Sequence, residues 1–311
     1  MVFESVGIVL TDKCNAHCRM CCSGLTEVKN SLKTISREDL DLILGQIRDC
    51  SQIGQVGVTG GEPMLYPSMV EHILDFDFGR EVKIGLKTNG FWGRDPKRAR
   101  SFLTRYRNRL SNISFSYDEF HREYISLDSI KAIIDIANEL MIPTEVVGCF
   151  LRDGITPGEI LDELGEYAYR TQFKYQPVFK TGLATSFEPS QFIPIYDSSD
   201  DCLPCTALRQ GSPLITTNLD LYPCCAQVIQ NTILKVGNLK DKPLSDLMVD
   251  ISHNRLLVKL FSDGLAPFLN LVKGEEGCPG KMSAACEACE FVFRDSRYME
   301  RIAHAFFDKS N

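Results

Sequence analysis

Cys14, Cys18 and Cys21 stand as C-x3-C-x2-C within the segment CNAHCRMC. Three thiolates on one tight loop can hold three irons of a four-iron cluster and leave the fourth iron open to a small ligand. The spacing matches neither ferredoxin ligand run, so electron carriage is not the leading role. A zinc site with His17 as an extra ligand is the plainer alternative. Zinc sites usually pair two short ligand hairpins, whereas here three cysteines crowd one loop. Further on, GGEP comprises Gly60, Gly61, Glu62 and Pro63. The glycines let backbone approach a ligand closely, the proline stiffens the exit, and the carboxylate can accept hydrogen bonds from an ammonium group. Thr88 and Asn89 in KTNGFWG, and Ser116 and Asp118 in SFSYDEFH, could meet a ribose or an amino-acid carboxylate. Their competing role is to cap the helices that follow. Trp92, the single tryptophan, is expected to pack the rim.

These residues need a scaffold, and the first 180 positions supply a pattern for one. Strands are expected at Ser5 to Leu10, Gln55 to Thr59, Val82 to Thr88, Ile113 to Ser116, Thr144 to Phe150 and Phe173 to Val178. Helices are expected after Ser36 as N-cap, then at Pro67 to Phe76, Pro96 to Tyr106 (markedly basic), Ser129 to Leu140 and Pro157 to Ala168. Strand–helix alternation implies a parallel sheet with right-handed crossovers. Six units are too few for a closed eight-stranded barrel, so the fold class is α/β with an open, partial (β/α)6 TIM-like barrel. Its chemistry belongs at the C-terminal ends of the strands, where the cysteine triplet and the GGEP loop fall. The barrel is assigned to residues 1–184. Residues 185–311 form a bridging segment and a second, smaller domain. There ITTNLDLYPCC reads as a hairpin, with helices at Ile251 to Phe261 and Pro267 to Lys273.

The second domain has little regular structure from which to build a core, so a metal centre is its natural organiser. It holds seven of the chain's 13 cysteines: Cys202, Cys205, Cys224, Cys225, Cys278, Cys286 and Cys289. Cys286-Glu-Ala-Cys289 reads as a ligand hairpin, and Cys205 and Cys224 complete four thiolates. A closed four-cysteine site is structural or electron-transferring, with zinc as the alternative to iron–sulfur. Cys224 and Cys225 are adjacent, and in an extended segment their side chains point to opposite faces. One can ligate while the other faces the barrel as a free thiol, a good hydrogen-atom donor to a carbon radical. Cys225 as a buried small residue, or as the ligand itself, is the alternative. Cys22 reads as loop packing, and the isolated Cys50 and Cys149 as small buried hydrophobes.

Composition narrows the setting. Apolar residues make up 44% and charged residues 24%, which rules out disorder, coiled coil or collagen as a description of the whole chain. Basic residues number 34 and acidic ones 41, a net charge of 34 − 41 = −7. That sign, with no basic aromatic-rich segment, argues against a nucleic-acid partner and against an anionic membrane surface. No run of 18 apolar residues exists, and the opening MVFESVGIVLTDKC does not read as a signal peptide, so a cytoplasmic location is expected. Clustered cysteines in that compartment point to metal or catalysis rather than disulfides.

Together, C-x3-C-x2-C and the GGE loop resemble the radical S-adenosylmethionine (SAM) superfamily. The resemblance implies that Cys14, Cys18 and Cys21 bind a [4Fe–4S] cluster whose open iron chelates SAM, with Gly60, Gly61, Glu62, Pro63, Thr88, Asn89, Ser116 and Asp118 around the cofactor. One electron passed to the sulfonium would release a 5′-deoxyadenosyl radical that abstracts hydrogen from substrate. The C-terminal cysteines resemble the auxiliary-cluster domain, called twitch or SPASM, of radical SAM peptide-modifying enzymes. That implies one auxiliary iron–sulfur cluster, a [4Fe–4S] on Cys205, Cys224, Cys286 and Cys289. TNGFWG, SYDEFH, YPCC, FLNLVK and the late C-x2-C are most similar to the epipeptide type of peptide epimerase. The implied reaction converts L- to D-residues in a ribosomally made precursor peptide, with Cys225 returning the hydrogen and a flavodoxin or ferredoxin supplying electrons. Thioether or carbon–carbon crosslinking of a peptide is the competing chemistry, and a non-enzymatic zinc or redox scaffold the competing class. One departure is Arg209, where those epimerases have an acidic residue. Peptide binding by strand addition at an open sheet edge is a further expectation.

Overall fold

The computed structural model describes residues 3–23, 32–205, 208 and 212–307; Arg209 lies outside them. The alternating half is built from β1 (Ser5–Val9), α1 (Arg37–Asp49), β2 (Gln55–Thr59), α2 (Pro67–Asp75), β3 (Lys83–Thr88), α3 (Pro96–Tyr106), β4 (Leu110–Ser116), α4 (Leu127–Glu139), β5 (Thr144–Phe150), α5 (Pro157–Leu164) and β6 (Gln172–Pro177). After β6 a short 3-10 turn over Gly182–Ser186 stands in the place that a sixth helix would take. The remainder comprises β7 (Tyr196–Asp197), β8 (Leu214–Ile215), β9 (Asp220–Tyr222), β10 (Gly237–Asn238), α6 (Leu244–His253), α7 (Arg255–Asp263), α8 (Ala266–Leu271), β11 (Lys281–Met282), α9 (Ala285–Arg294) and α10 (Arg297–Phe306).

Local chemistry sets the ends of these elements. Ser36 and Thr156 accept from the backbone N–H groups of Asp39 and Glu159, and Asp95 from that of Arg98, which are N-caps of the ordinary kind. Two expectations are corrected. The helix expected across Ile251 to Phe261 breaks at Asn254, whose side chain accepts from the N–H groups of Leu256 and Leu257 and so starts a new helix. Cys286 and Cys289 do not lie on a hairpin. They sit three apart near the start of helix α9 and so share one of its faces.

Among the described residues one nine-stranded sheet runs in the order β10-β9-β8-β1-β2-β3-β4-β5-β6. Strands β1 to β6 are parallel neighbours in sequence order, the partial barrel expected from the pattern. The hairpin β8–β9 joins the same sheet, because β8 pairs in parallel with β1. The hydrophobic core likewise runs without a break from Val6 and Ile8 through Ile215 and Leu221 to Phe293.

The faces of the sheet differ. Along β5, Val146 and Phe150 are buried under the helices, while Glu145, Val147 and Cys149 point to the other side and stay partly open. On β3, Lys87 is exposed between the buried Leu86 and Thr88. A parallel sheet is normally covered on both faces. This one leaves its inner face polar and accessible, as a cleft that receives a ligand would be.

Candidate functional site

The Cys14–Cys21 loop follows β1 at the mouth of the barrel. The Ala16 N–H donates to Cys14 Sγ at 3.4 Å, and Cys21 Sγ lies 2.9 Å from Ser23 Oγ. Cys14, Cys18, Cys21 and Cys22 are all free thiols. Burial, with Glu62, Cys18 and Cys21 close by, pushes the Cys14 pKa up to about 12. A thiolate there needs a compensating positive centre, which is the condition a metal cluster meets. Among the described residues no three His, Cys, Asp or Glu groups meet closely enough to hold a single metal ion. A multi-iron cluster offers a metal at each corner and needs no such convergence.

The GGEP loop is stitched to this loop. The Gly61 N–H donates to the Thr11 carbonyl at 2.6 Å, and the Glu62 N–H to that of Lys13 at 2.8 Å. A Cβ on Gly60 would strike the carbonyl of Thr11, and one on Gly61 that of Lys13. The close approach these glycines permit is therefore of one loop to the other. Across the loop's other side, Gly182 sits at φ 57° with no room for a Cβ beside the Cys21 and Cys22 carbonyls. The Leu183 N–H donates to Cys21 at 3.0 Å.

Glu62 is fully buried. Its carboxylate accepts from the Met64 N–H (2.9 Å), the Thr88 hydroxyl (2.8 Å) and the Asn89 N–H (2.6 Å). Burial outweighs those bonds and lifts its pKa to about 7. Pro63 opens the short 3-10 turn that Glu62 caps. Thr88 also accepts from the Trp92 indole at 3.2 Å, and Asn89 Nδ2 donates to Asn15 at 2.8 Å. Glu62, Thr88 and Asn89 thus form one buried network beside Cys14, and Trp92 packs edge-on against Phe102, at the rim as expected.

Asp118 is also fully buried, and like Glu62 it is satisfied by protein donors: the N–H groups of Phe120, His121 and Cys149, and His121 Nδ1 at 2.8 Å. Ser116 ends β4, half-buried, opposite Val147. His121 escaped the sequence reading, although it closes SYDEFH. It lies between Asp118 and Cys18. Burial lowers its pKa, but Asp118 and Cys18 outweigh that and raise it to about 10. Its ring is held between a carboxylate and one of the loop's sulfurs, both of which favour the protonated form.

The C-terminal thiols fall into two settings. Cys205, Cys224, Cys286 and Cys289 line one cavity of about 230 Å³ with Pro204, Leu208, Val228, Ile229, Leu260 and Leu265. Burial and mutual repulsion raise the Cys286 pKa to about 12 and those of Cys224 and Cys289 well above the ordinary thiol range. The buried Ser283 hydroxyl lines the same cavity and has no hydrogen-bond partner among the described residues. An apolar cavity with four crowded thiols and an orphaned hydroxyl fits a four-thiolate cluster. Cys202 is exposed and Cys278 half-buried, and neither lines this cavity.

Cys225 turns the other way. It reaches solvent, although enough protein surrounds it to raise its pKa against the opposing pull of Lys87. The same ammonium acts on Cys22, whose pKa burial raises to about 11, and on Cys149, raised by burial to about 12. Cys149 is therefore no plain core residue: it is half-exposed, and its sulfur accepts from Gln176 at 3.4 Å. Cys50 is buried, as expected. Gln227, two residues beyond Cys225, donates to the Gly60 carbonyl at 3.1 Å and ties this segment to the GGEP loop. Alternation in β3 could have flagged Lys87; nothing local could have flagged Gln227.

Comparison with known proteins agrees with this geometry. YydG of Bacillus subtilis (strain 168), named for a role in peptide biosynthesis, is 24% identical over 97% of this chain and 98% of its own length. GTP 3′,8-cyclase of Clostridium perfringens is 28% identical over about half of each chain. Among solved structures, anSMEcpe with bound AdoMet shares the fold with a TM-score of 0.62 at 13% identity, covering 98% of this chain and 99% of that one. The same protein with AdoMet and the Kp18Cys peptide gives 0.58 at 12% identity, covering 97% and 99%. No helix among the described residues is long and apolar enough to cross a membrane. With residues 8–167, just over half of its length, matching the family model, the chain belongs to the Radical SAM superfamily, whose cofactors are SAM and a [4Fe–4S] cluster.

Proposed function

We propose that this enzyme is a peptide epimerase, converting L- to D-residues in a ribosomally made precursor peptide. The observation that carries the reading is the split between Cys224, in the four-thiol cavity, and Cys225, outside it near Lys87 and tied through Gln227 to Gly60. A peptide substrate accords with the whole-length likeness to YydG.

Cys14, Cys18 and Cys21 would hold the [4Fe–4S] cluster, and Glu62 with Thr88 and Asn89 would face the bound SAM. Cys205, Cys224, Cys286 and Cys289 would hold the auxiliary cluster. Together the SAM cluster and SAM supply a one-electron reduction and the removal of a hydrogen atom from the substrate Cα. The chain's own residues do the rest. The protein around Cys225 raises its pKa, which favours the S–H form, and only that form carries a hydrogen atom to return. Its S–H bond breaks as a new Cα–H bond forms on the opposite face. One electron from an external flavodoxin or ferredoxin, with one proton, then restores the thiol.

The test is a reaction in deuterated water under anaerobic conditions, using a candidate precursor peptide and the reconstituted enzyme. Epimerisation adds one deuteron at Cα per changed residue and yields a D-residue on hydrolysis. Loss of two hydrogens would make the enzyme a crosslinking catalyst instead. Cys225→Ala should still cleave SAM yet incorporate no deuteron. Undiminished epimerisation in that variant moves the donor role to Cys149 or Cys22.

A further inference from the structure

Helix α3 carries Lys97, Arg98, Arg100 and Arg105 and no acidic residue, and Arg94 and Arg107 flank it. This is odd in two respects. The chain as a whole has a net charge of −7. The first turn of a helix also favours acidic side chains, because its free N–H groups carry positive charge. Asp95, the N-cap, offsets that only in part. Neutralisation within the fold is incomplete as well. Arg100 pairs with Glu139 and Arg105 with Asp75. Arg94, Lys97, Arg98 and Arg107 are exposed, and no carboxylate among the described residues pairs with them.

The inner face of α3 leads back to the site. Phe102 packs on Trp92 at 5.7 Å between ring centroids, and Trp92 donates to Thr88, which donates to Glu62. Asn89 bonds Asn15, the neighbour of Cys14. The inward side of α3 is thus joined to the thiol loop by a continuous relay of packed and hydrogen-bonded side chains.

We propose that the outward face of α3 is the docking surface for an acidic one-electron carrier of the flavodoxin class. The inference rests on the radical reading above, which consumes electrons from outside the chain. The carrier gives up one electron and is oxidised by one, and no bond forms between the proteins. Charge complementarity selects this occupant. The 11 residues of α3 span about 16 Å at about 1.5 Å per residue, within the footprint of a small globular protein. A long polyanion such as RNA, or an anionic bilayer, would extend beyond the patch onto a surface that repels it.

Oxidised flavodoxin is the probe, titrated calorimetrically into reconstituted enzyme at about 50 and about 300 mM salt. Parent enzyme should bind, and more weakly at the higher salt. Lys97→Glu, Arg98→Glu and Arg107→Glu combined should weaken binding at least about tenfold and cut flavodoxin-driven SAM cleavage to match, with dithionite-driven cleavage unchanged. Glutamine at the same three positions, a milder change, should act in the same direction. A dissociation constant within about twofold of the parent overturns the proposal. So does loss of binding to a 20-nucleotide RNA or to phosphatidylglycerol vesicles in place of flavodoxin. If the parent does not cleave SAM even with dithionite, the radical reading fails, and the titration alone still judges the surface.

Discussion

Two groups of thiols divide the molecule, and they are built in opposite ways. The N-terminal three come from a single irregular loop that joins a few polar partners, an amide on Cys14, a hydroxyl on Cys21 and the His121 ring against Cys18, to an apolar cluster of Phe120, Leu151, Val178 and Phe192 around Cys18. The C-terminal four converge from three separate segments onto a cavity whose other walls are largely aliphatic. A site held by one loop keeps room for a ligand and can adjust to it. One assembled from distant segments is closed, and whatever fills it also fastens those segments together. On the function proposed above, the first group would serve turnover, and the second architecture with electron storage.

Four experiments break or sharpen that contrast. Replacing any of Cys14, Cys18 or Cys21 by alanine should abolish SAM cleavage and remove one cluster's worth of iron, with little change in thermal unfolding. Cys286→Ser should do the reverse: SAM cleavage persists, while about four irons are lost and the C-terminal segment becomes protease-sensitive. If both changes unfold the protein equally, the division is wrong.

Glu62 gives the third. Its pKa rises from the ordinary 4.5 to about 7 on folding, so its contribution to stability is fully present below pH 4.5 and lost as pH rises through 7, about 3 kcal/mol in all. Urea unfolding of metal-free protein from pH 4.5 to 8 should show that decline, and Glu62→Gln should flatten it. The smallest effect is expected at Gln227. Gln227→Ala removes a single hydrogen bond to Gly60, worth about 1 kcal/mol. Deuteron return should fall several-fold, with SAM cleavage unchanged. Equal loss of both would mean that Gln227 shapes the SAM loop rather than holding Cys225 in place.

Much of this was legible in the sequence because it is local. The C-x3-C-x2-C spacing, GGEP and the strand–helix alternation lie within short windows, and Gln55–Thr59, Pro96–Tyr106 and Thr144–Phe150 fall where the pattern placed them. The opposite orientations of Cys224 and Cys225 follow from adjacency alone. What could not be read depends on contacts between distant segments. The parallel pairing of β8 with β1 joins Gly7 to Leu214, and the Gln227 bond spans 167 positions. Asp118 looked free to meet a ligand because its four protein donors become visible only in the folded turn and in β5. The helix break at Asn254 was missed because the apolar rhythm continues across it while the side chain caps a new start.

The short ladder between β1 and β8 carries a consequence of its own. It fixes the phase of everything downstream to the frame of the barrel, and the hairpin passes that phase on to Tyr222 and the two sulfurs after it. In extended chain, a slip of one residue exchanges inside for outside. One added codon between Tyr222 and Cys224 would thus turn the Cys224 sulfur to the side that Cys225 now faces, in a protein that still has its full complement of cysteines.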